Sequence, residues 1–352
     1  MNRLATEQGH LRRWLFCCLV VSLWLVTGCE PAAPTPVTLS GHTMGTTWHV
    51  TYLPSARSSD NFQGEIDGML EGVNASMSTY REDSEISRFN RARPNEWFAI
   101  SPGFLTVLQA ALLVGEASGG AYDVTIGLVV DLWGFGPKAG VDAVPGHDAI
   151  VQLLQRVGQS KLKLNPPDNA VLKTGELSLD FSSIAKGYAV DRVADWLAGQ
   201  GVANFLVEVG GEMRLAGHNA RGEAWRIAIE KPGGFSGSVA TAIGLSNEAV
   251  ATSGDYRNYF EVDNIRYSHA IDARTGYPVQ HDLVSVTVIH PRAMMADAWA
   301  TALTALGPEE AMEVALRQEL AVYFIQRKED NYVTRYTPQF ERYLENSGRQ
   351  KK

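Results

Sequence analysis

The sequence predicts an α+β fold in one compact domain, carried behind an exported leader. Two observations set the class. Stretches with helical spacing stand far apart in the chain, and the strand-like stretches between them come in groups, which disfavours a strict βαβ winding. After Thr38, no stretch of the 352 residues has the composition of a second interdomain linker.

The leader fixes the compartment. Arg12 and Arg13 precede an apolar run from Trp14 to Val26 that only Ser22 interrupts. At 1.5 Å per helical residue this run is too short for a ~30 Å hydrocarbon core, so residues 1–28 read as a signal peptide. The run closes in Val26-Thr27-Gly28-Cys29, which resembles the lipobox of bacterial lipoproteins. Lipid on the Cys29 thiol would tether the mature chain to the periplasmic face of a bacterial membrane. An ordinary export signal with an incidental cysteine is the alternative, and Arg12-Arg13 also fits twin-arginine export. Glu30 follows the cysteine instead of Asp, which by resemblance to sorting signals favours the outer membrane. Pro31–Pro36 reads PAAPTP, an extended spacer. The expected organisation is a tether over residues 29–38, the domain over 39–340 and a polar, fraying tail over 341–352.

Within the domain, His42–Leu53 alternates and is rich in β-formers. Phe62–Met77 places Ile66, Met69, Leu70 and Val73 at helical spacing. Phe104–Ala117 is an amphipathic helix that ends at Gly119-Gly120. Helices are also predicted over Ala149–Val157, Gly187–Leu197, Met295–Leu306 and Glu309–Arg317. Strands are predicted over Lys161–Leu164, Phe205–Val209, Trp225–Glu230, Val239–Leu245, Tyr267–Ile271, Val284–His290 and Ala321–Gln326.

Composition removes several functions. Cys17, Cys18 and Cys29 all lie in the leader or at its cleavage point, so the mature domain has no disulfide, no cysteine nucleophile and no thiolate metal site. Loss of Arg3, Arg12, Arg13 and Glu7 with the leader takes the formal net charge from −8 to −10. No basic cluster offsets this acidity, which excludes nucleic acid as a partner. There is no G-x-x-x-x-G-K-[ST], H-E-x-x-H or G-x-S-x-G. GFGPKAG, Gly134–Gly140, is better read as a plain turn than a phosphate cradle, because Pro137 removes an N–H.

What remains is a set of compact polar runs. In MMADAWATAL, Met294–Leu303, Asp297 and Thr301 stand four residues apart on one helix face. Such hard oxygens suit Mg²⁺ with waters completing its octahedron, although an early-helix Asp and a back-bonded Thr give the same pattern. In YSHAIDARTGYPV, His269 and Asp272 sit at a strand end, where a histidine serves either as a general base or as a backbone-bonded structural residue. Tyr80 follows a helix and can stack on a planar ligand, in a polar loop where Ser84 caps a short helix ahead of Glu85 and Ile86. GGAYDVTIGLVVDLWGFG, Gly119–Gly136, either lets backbone approach a flat ligand or forms core strand and turn. In LDFSSIAKGYAVDRVADWL, Leu179–Leu197, Ser182 and Ser183 are expected to cap a helix whose buried stripe is Ala189, Val190, Val193, Ala194 and Leu197. Its N-terminus is then either the mouth of an anion site or only the first turn of a surface helix, with Lys186 near the anion or in solvent.

The runs HTMGTTW, MSTYREDSEISRFN, GGAYDVTIGLVVDLWGFG, DFSSIAKGYAVD, VEVGGEMR, VATSGDYRNY, SHAIDARTGYP and SVTVIHPRAMMADAWATAL stand in order between His42 and Leu303, within a match of roughly His42 to Phe340. Together they resemble the bacterial FAD:protein FMN transferases, formerly labelled thiamine-biosynthesis lipoproteins. The resemblance implies a domain with T-fold-like antiparallel sheets and packed helices, and a ligand cleft between two halves. It also implies a Mg²⁺-dependent enzyme that cleaves FAD and transfers FMN to a threonine of an exported electron-transport subunit, releasing AMP. Acceptors would be subunits of sodium-pumping NADH-quinone reductase or Rnf-type complexes.

By position, the metal ligands are Asp297, Thr301 and the backbone oxygen of Ala185. FAD contacts fall on Met44, Tyr80, Ala121, Tyr122, Asp123, Ser182, Tyr188 and Ile271. His269 is the candidate base, with Asp272 orienting it or replacing it. Some relatives carry a further carboxylate where this chain has Ala300, which leaves the metal more dependent on waters or phosphate oxygens. Hydrolysis of FAD to FMN and AMP, or flavin binding without turnover, are the competing functions.

Overall fold

The computed structural model describes residues 34–55, 62–137, 144–232, 239–254, 259–263, 265–329 and 331–348. The signal peptide, Cys29, the first part of the tether and the last four residues lie outside them. So does the second half of the 134–140 run, whose described part is a turn. Pro36–Lys352 is one compact unit.

Its centre is an eight-stranded, wholly antiparallel sheet whose strands lie side by side in chain order. They are β1 (Val37–Thr43), β2 (Thr46–Tyr52), β3 (Phe205–Val209), β4 (Glu212–Ala216), β5 (Ala249–Gly254), β6 (Leu283–His290), β7 (Ala321–Lys328) and β8 (Asn331–Tyr336). The helices that matter here are α1 (Phe62–Met77), α2 (Pro102–Ala117), α3 (Ala185–Gly199), α4 (Ala293–Leu306), α5 (Pro308–Arg317) and α6 (Pro338–Gly348). α1 matches its expected span, because its apolar spacing is regular to both ends. The strand expected over His42–Leu53 is a hairpin instead, turned at Met44-Gly45, where both residues have positive φ. The first strand begins at Val37, inside the stretch expected to be tether.

The sheet separates two cores, and β7 shows how. Val322 and Phe324 point into the larger core, which α1 to α4 cover, while Ala321, Tyr323 and Ile325 point into the smaller one. Side-chain alternation along a strand requires this division once both faces are covered. The smaller core is roofed by a separate hairpin, Trp225–Glu230 paired with Val239–Leu245, and by α6.

α6 overturns the expected fraying tail. Phe340 and Tyr343 are buried in the smaller core, and Phe340 meets Tyr323 at 5.3 Å between ring centroids. The apolar signal is Phe340, Tyr343 and Leu344 alone in an otherwise polar stretch, so composition hid it.

A third cluster settles the Gly119–Gly136 run as a turn, a short helix (Gly127–Leu132) and core, in place of core strand. Trp133 is fully buried, donates through Nε1 to the carbonyl of Gly276 at 2.8 Å, and stacks on Tyr267 at 5.5 Å. The strand expected over Tyr267–Ile271 is two strands, Ile265–Ser268 and Ile271–Asp272. The break falls at His269-Ala270 and leaves His269 exposed.

Candidate active site

The site forms where the first turn of α3 meets the side of α4. The expected serine cap is not what closes α3. Ile184 is the capping residue and offers no side-chain bond, whereas the backbone N–H of Gly187 donates to Oδ2 of Asp297 at 3.0 Å. A carboxylate from the neighbouring helix therefore occupies the positive end of α3. Ser182 instead donates its backbone N–H to Asp180 at 2.7 Å, and the Ser183 hydroxyl donates to that of Tyr122 at 3.1 Å. Glycine is obligatory at 187, since a Cβ there would stand 2.3 Å from the carbonyl oxygen of Ala293.

A cavity of about 350 Å³ opens beside this junction. Tyr80, Ala121, Tyr122, Asp123, Ser182, His269, Ile271, Asp297 and Thr301, drawn from five separate stretches of chain, all line it. Three residues carried over by resemblance do not. Met44 sits at the β1–β2 turn, Ala185 is buried at the start of α3, and Tyr188 is buried beside Gly103 and Arg192.

Lys186 is the residue whose placement changes most. It does not lie free in solvent: it lines the cavity with its ammonium group beside two acidic side chains. Its Nζ stands 3.6 Å from Oε1 of Glu212 and 3.8 Å from Oδ1 of Asp297. Burial works against the ammonium ion, but the Asp297 and Glu212 carboxylates outweigh it and hold Lys186 above the ordinary lysine range. Burial pushes Asp297 up as well, and it pushes Glu212 up to about 8 against the attraction of Lys186. The other oxygen of Glu212, Oε2, is buried without a hydrogen-bond partner.

Glu212 went unread in the sequence because its partners are brought in by β4. Its signals are a carboxylate directly after Gly210-Gly211 in an apolar stretch and its place in the run VEVGGEMR. Thr252, Ser253 and Gly254 of β5 line the cavity too; the sequence marked them only as part of the run VATSGDYRNY, with no role.

The remaining polar walls are already committed. Both oxygens of Asp123 fold its own loop, accepting from Thr125 at 2.8 and 2.7 Å and from the backbone of Gln159 at 3.1 Å. Asp272 is gripped by the guanidinium of Arg274 at 2.8 to 3.1 Å, so its role is to anchor the turn. His269 faces Phe135 edge-on at 6.4 Å. Tyr80 is exposed, and its hydroxyl donates to the carbonyl of Phe135 at 3.3 Å. Partial burial, then Asp180 and Asp131, raise its phenol above the ordinary range.

Residues 44–324 match the sequence profile of the ApbE family. The chain belongs to the ApbE family. A Vibrio cholerae relative named FAD:protein FMN transferase is 45% identical over 337 residues, covering 95% of this chain and 99% of that protein. A Haemophilus influenzae protein of the same name is 43% identical over 317 residues, covering 88% and 92%. The solved flavin transferase ApbE from Vibrio cholerae superposes with a TM-score of 0.82 at 44% identity, over 88% of this chain and 99% of that one. The apo flavinyl transferase ApbE of Pseudomonas stutzeri gives 0.82 at 37% identity, over 88% and 97%. The ApbE kinship and the mixed helix and antiparallel-sheet architecture agree with the fold that the sequence predicts.

Among the described residues, no group of three or more His, Cys, Asp or Glu side chains is placed to hold a metal ion. The donor set is smaller and oxygen-only: the Asp297 carboxylate and Thr301 hydroxyl, one turn apart on α4 and both facing the cavity. That chemistry fits a hard divalent cation that keeps most of its waters.

Proposed function

We propose that this chain is an FAD:protein FMN transferase that flavinylates a threonine hydroxyl of an exported electron-transport subunit and releases AMP. The observation that carries the reading is full-length kinship with transferases of that name, at up to 45% identity. The cavity, with its aromatic walls and acidic-basic junction, has the chemistry for it.

In this reading Tyr80 and Tyr122 flank the planar flavin, while Lys186 and the first turn of α3 lie toward the phosphates. The acceptor oxygen forms a bond to the FMN phosphorus, the pyrophosphate P–O bond breaks, and AMP leaves with the electron pair. His269, exposed at the strand break, takes the hydroxyl proton. Mg²⁺ held by Asp297 and Thr301 would neutralise charge on the phosphates. Lys186 stands between the buried Asp297 and Glu212 side chains and presents positive charge to the same place.

The acceptors we propose are subunits of sodium-pumping NADH-quinone reductase or Rnf-type complexes. The chain would work at the periplasmic face of a bacterial membrane, held by lipid on Cys29. No helix among the described residues is long and apolar enough to cross a membrane.

The test is incubation with FAD, Mg²⁺ and the soluble domain of such a subunit, followed by in-gel flavin fluorescence and AMP assay. Fluorescent acceptor with AMP supports transfer. Free FMN with AMP would make the chain a pyrophosphatase, and intact FAD throughout would leave it a carrier.

A further inference from the structure

Lys186 is paired more loosely than other ions of the fold. Its Nζ stands 3.3 Å from the carbonyl of Ser182, 3.6 Å from Oε1 of Glu212 and 3.8 Å from Oδ1 of Asp297. Charge-assisted hydrogen bonds close to about 2.7–2.9 Å. Arg214 meets Asp195 at 2.7 Å and Arg274 meets Asp272 at 2.8 Å in that way. The Lys186 ammonium is instead shared between two carboxylates and committed to neither.

The two carboxylates differ in what else they do. On Asp297, Oδ2 accepts from the backbone of Gly187, and Oδ1 is the oxygen that faces the lysine. On Glu212, Oε1 faces the lysine, whereas Oε2 is buried and has no hydrogen-bond partner among the described residues. Gly210 shows how near that spare oxygen lies to the lysine stem. A Cβ at Gly210 would stand 3.2 Å from Cδ of Lys186 and 3.5 Å from Oε2 of Glu212, so stem and spare acceptor pack against one point of the backbone. A buried acceptor without a donor costs free energy, and here the donor that would relieve it is already beside it.

We propose that Lys186 is a resident counter-ion of Asp297 that a divalent metal displaces: when the metal takes Oδ1, the ammonium swings to Glu212 and pairs with its spare oxygen. The inference rests on the metal site of the proposed function, Asp297 with Thr301. A dication on Oδ1 and an ammonium 3.8 Å from the same oxygen repel each other, the more so in a largely buried site. The swing relieves that repulsion and gives Oε2 its donor. Lysine suits the part, because its ammonium is a compact charge on a flexible stem, where the planar fork of arginine would hold one geometry. The pair therefore sets metal affinity. Lys186 opposes binding by neutralising Asp297, and Glu212 favours it by receiving the lysine.

Calorimetric titration of the metal-free protein with Mg²⁺ alone, in mildly alkaline buffer and without flavin, reads this directly. Lys186→Met keeps the stem and removes the charge, and should tighten Mg²⁺ binding about fivefold or more. Glu212→Gln keeps the shape and removes the charged partner, and should weaken binding about fivefold. In crystals of the unsubstituted protein with Mg²⁺, Nζ should close to about 3 Å from Glu212 and retreat from Asp297. Unchanged or weaker Mg²⁺ binding by Lys186→Met would overturn the proposal, as would a metal-bound structure with the ammonium still beside Asp297. Should Lys186→Met fail to fold, Glu212→Gln and the metal-bound structure decide. Absence of Mg²⁺ binding in all three proteins removes the metal site and this inference together. Tightened binding by Lys186→Met stands whether or not an acceptor is flavinylated, which separates failure of the transfer reading from failure of this one.

Discussion

Asp191 and Asp297 each cap the helix to which the other belongs. Asp191 on α3 accepts the backbone N–H groups of Ala293 and Met294, both at 3.0 Å, at the start of α4. Asp297 on α4 accepts that of Gly187 at the start of α3. The two helix dipoles are thus neutralised by exchange, and the carboxylate that lines the cavity is also a strut of the fold.

Asp297→Asn separates these duties. The amide oxygen still accepts from Gly187, so the melting temperature should fall by no more than a few degrees, whereas FAD turnover should drop at least a hundredfold with the loss of charge. Thermal unfolding beside AMP release checks both. Full activity in the asparagine variant would remove Asp297 from the chemistry.

Asp191→Ala strips two N–H groups of their acceptor and leaves Arg214, at 3.0 Å, and Arg292, at 3.1 Å, short of a carboxylate. The expected cost is about 2–4 kcal/mol in urea unfolding, more than an exposed cap alone gives, because Asp191 is fully buried.

Gly187→Ala forces α3 and α4 apart at the carbonyl of Ala293, at a cost of about 1–3 kcal/mol or more. Activity should fall with it, since Asp297 and Lys186 lose their spacing. Gly199→Ala, in the same helix with open space around it, is the control and should shift stability by under about 1 kcal/mol, in the stabilising direction.

Metal-free protein should lose stability as pH rises from about 5 to 8. Burial, opposed by Lys186 and reinforced by Asp297, holds folded Glu212 near 8, against 4.5 for the free residue. Between those values the folded form binds the extra proton, so unfolding becomes easier with rising pH. Glu212→Gln should flatten that slope, which melting curves at several pH values will show.

Phe340→Ala should cost about 3–5 kcal/mol by opening the smaller core, although sequence alone places this residue at the edge of a fraying tail. A chain ended after Tyr336 should melt lower still. Equal stability of the shortened chain would detach α6 from the core.

How far the sequence speaks depends on the range of the interaction. α1 and the strands Phe205–Val209 and Trp225–Glu230 are legible to the residue, because one buried face writes a regular period. β5 is not: Ala-Val-Ala-Thr-Ser-Gly has neither bulk nor alternation, and only its neighbours on both sides make it a strand. At the site, the motif order brought out Asp297, Thr301 and His269. The Lys186–Glu212 contact and the cap on Gly187 join elements that no local pattern links, and the serines chosen as caps lost to a carboxylate 110 residues away.

The chain order of the central sheet carries a kinetic consequence. β2 finds its inner neighbour only when β3 has been made, and the hydrogen bond between His49 and Glu208 spans 159 residues. Until then the N-terminal hairpin is a lone two-stranded ribbon, marginal in water. Closing so long a loop places the molecule among slow folders, with one strand edge exposed throughout the wait.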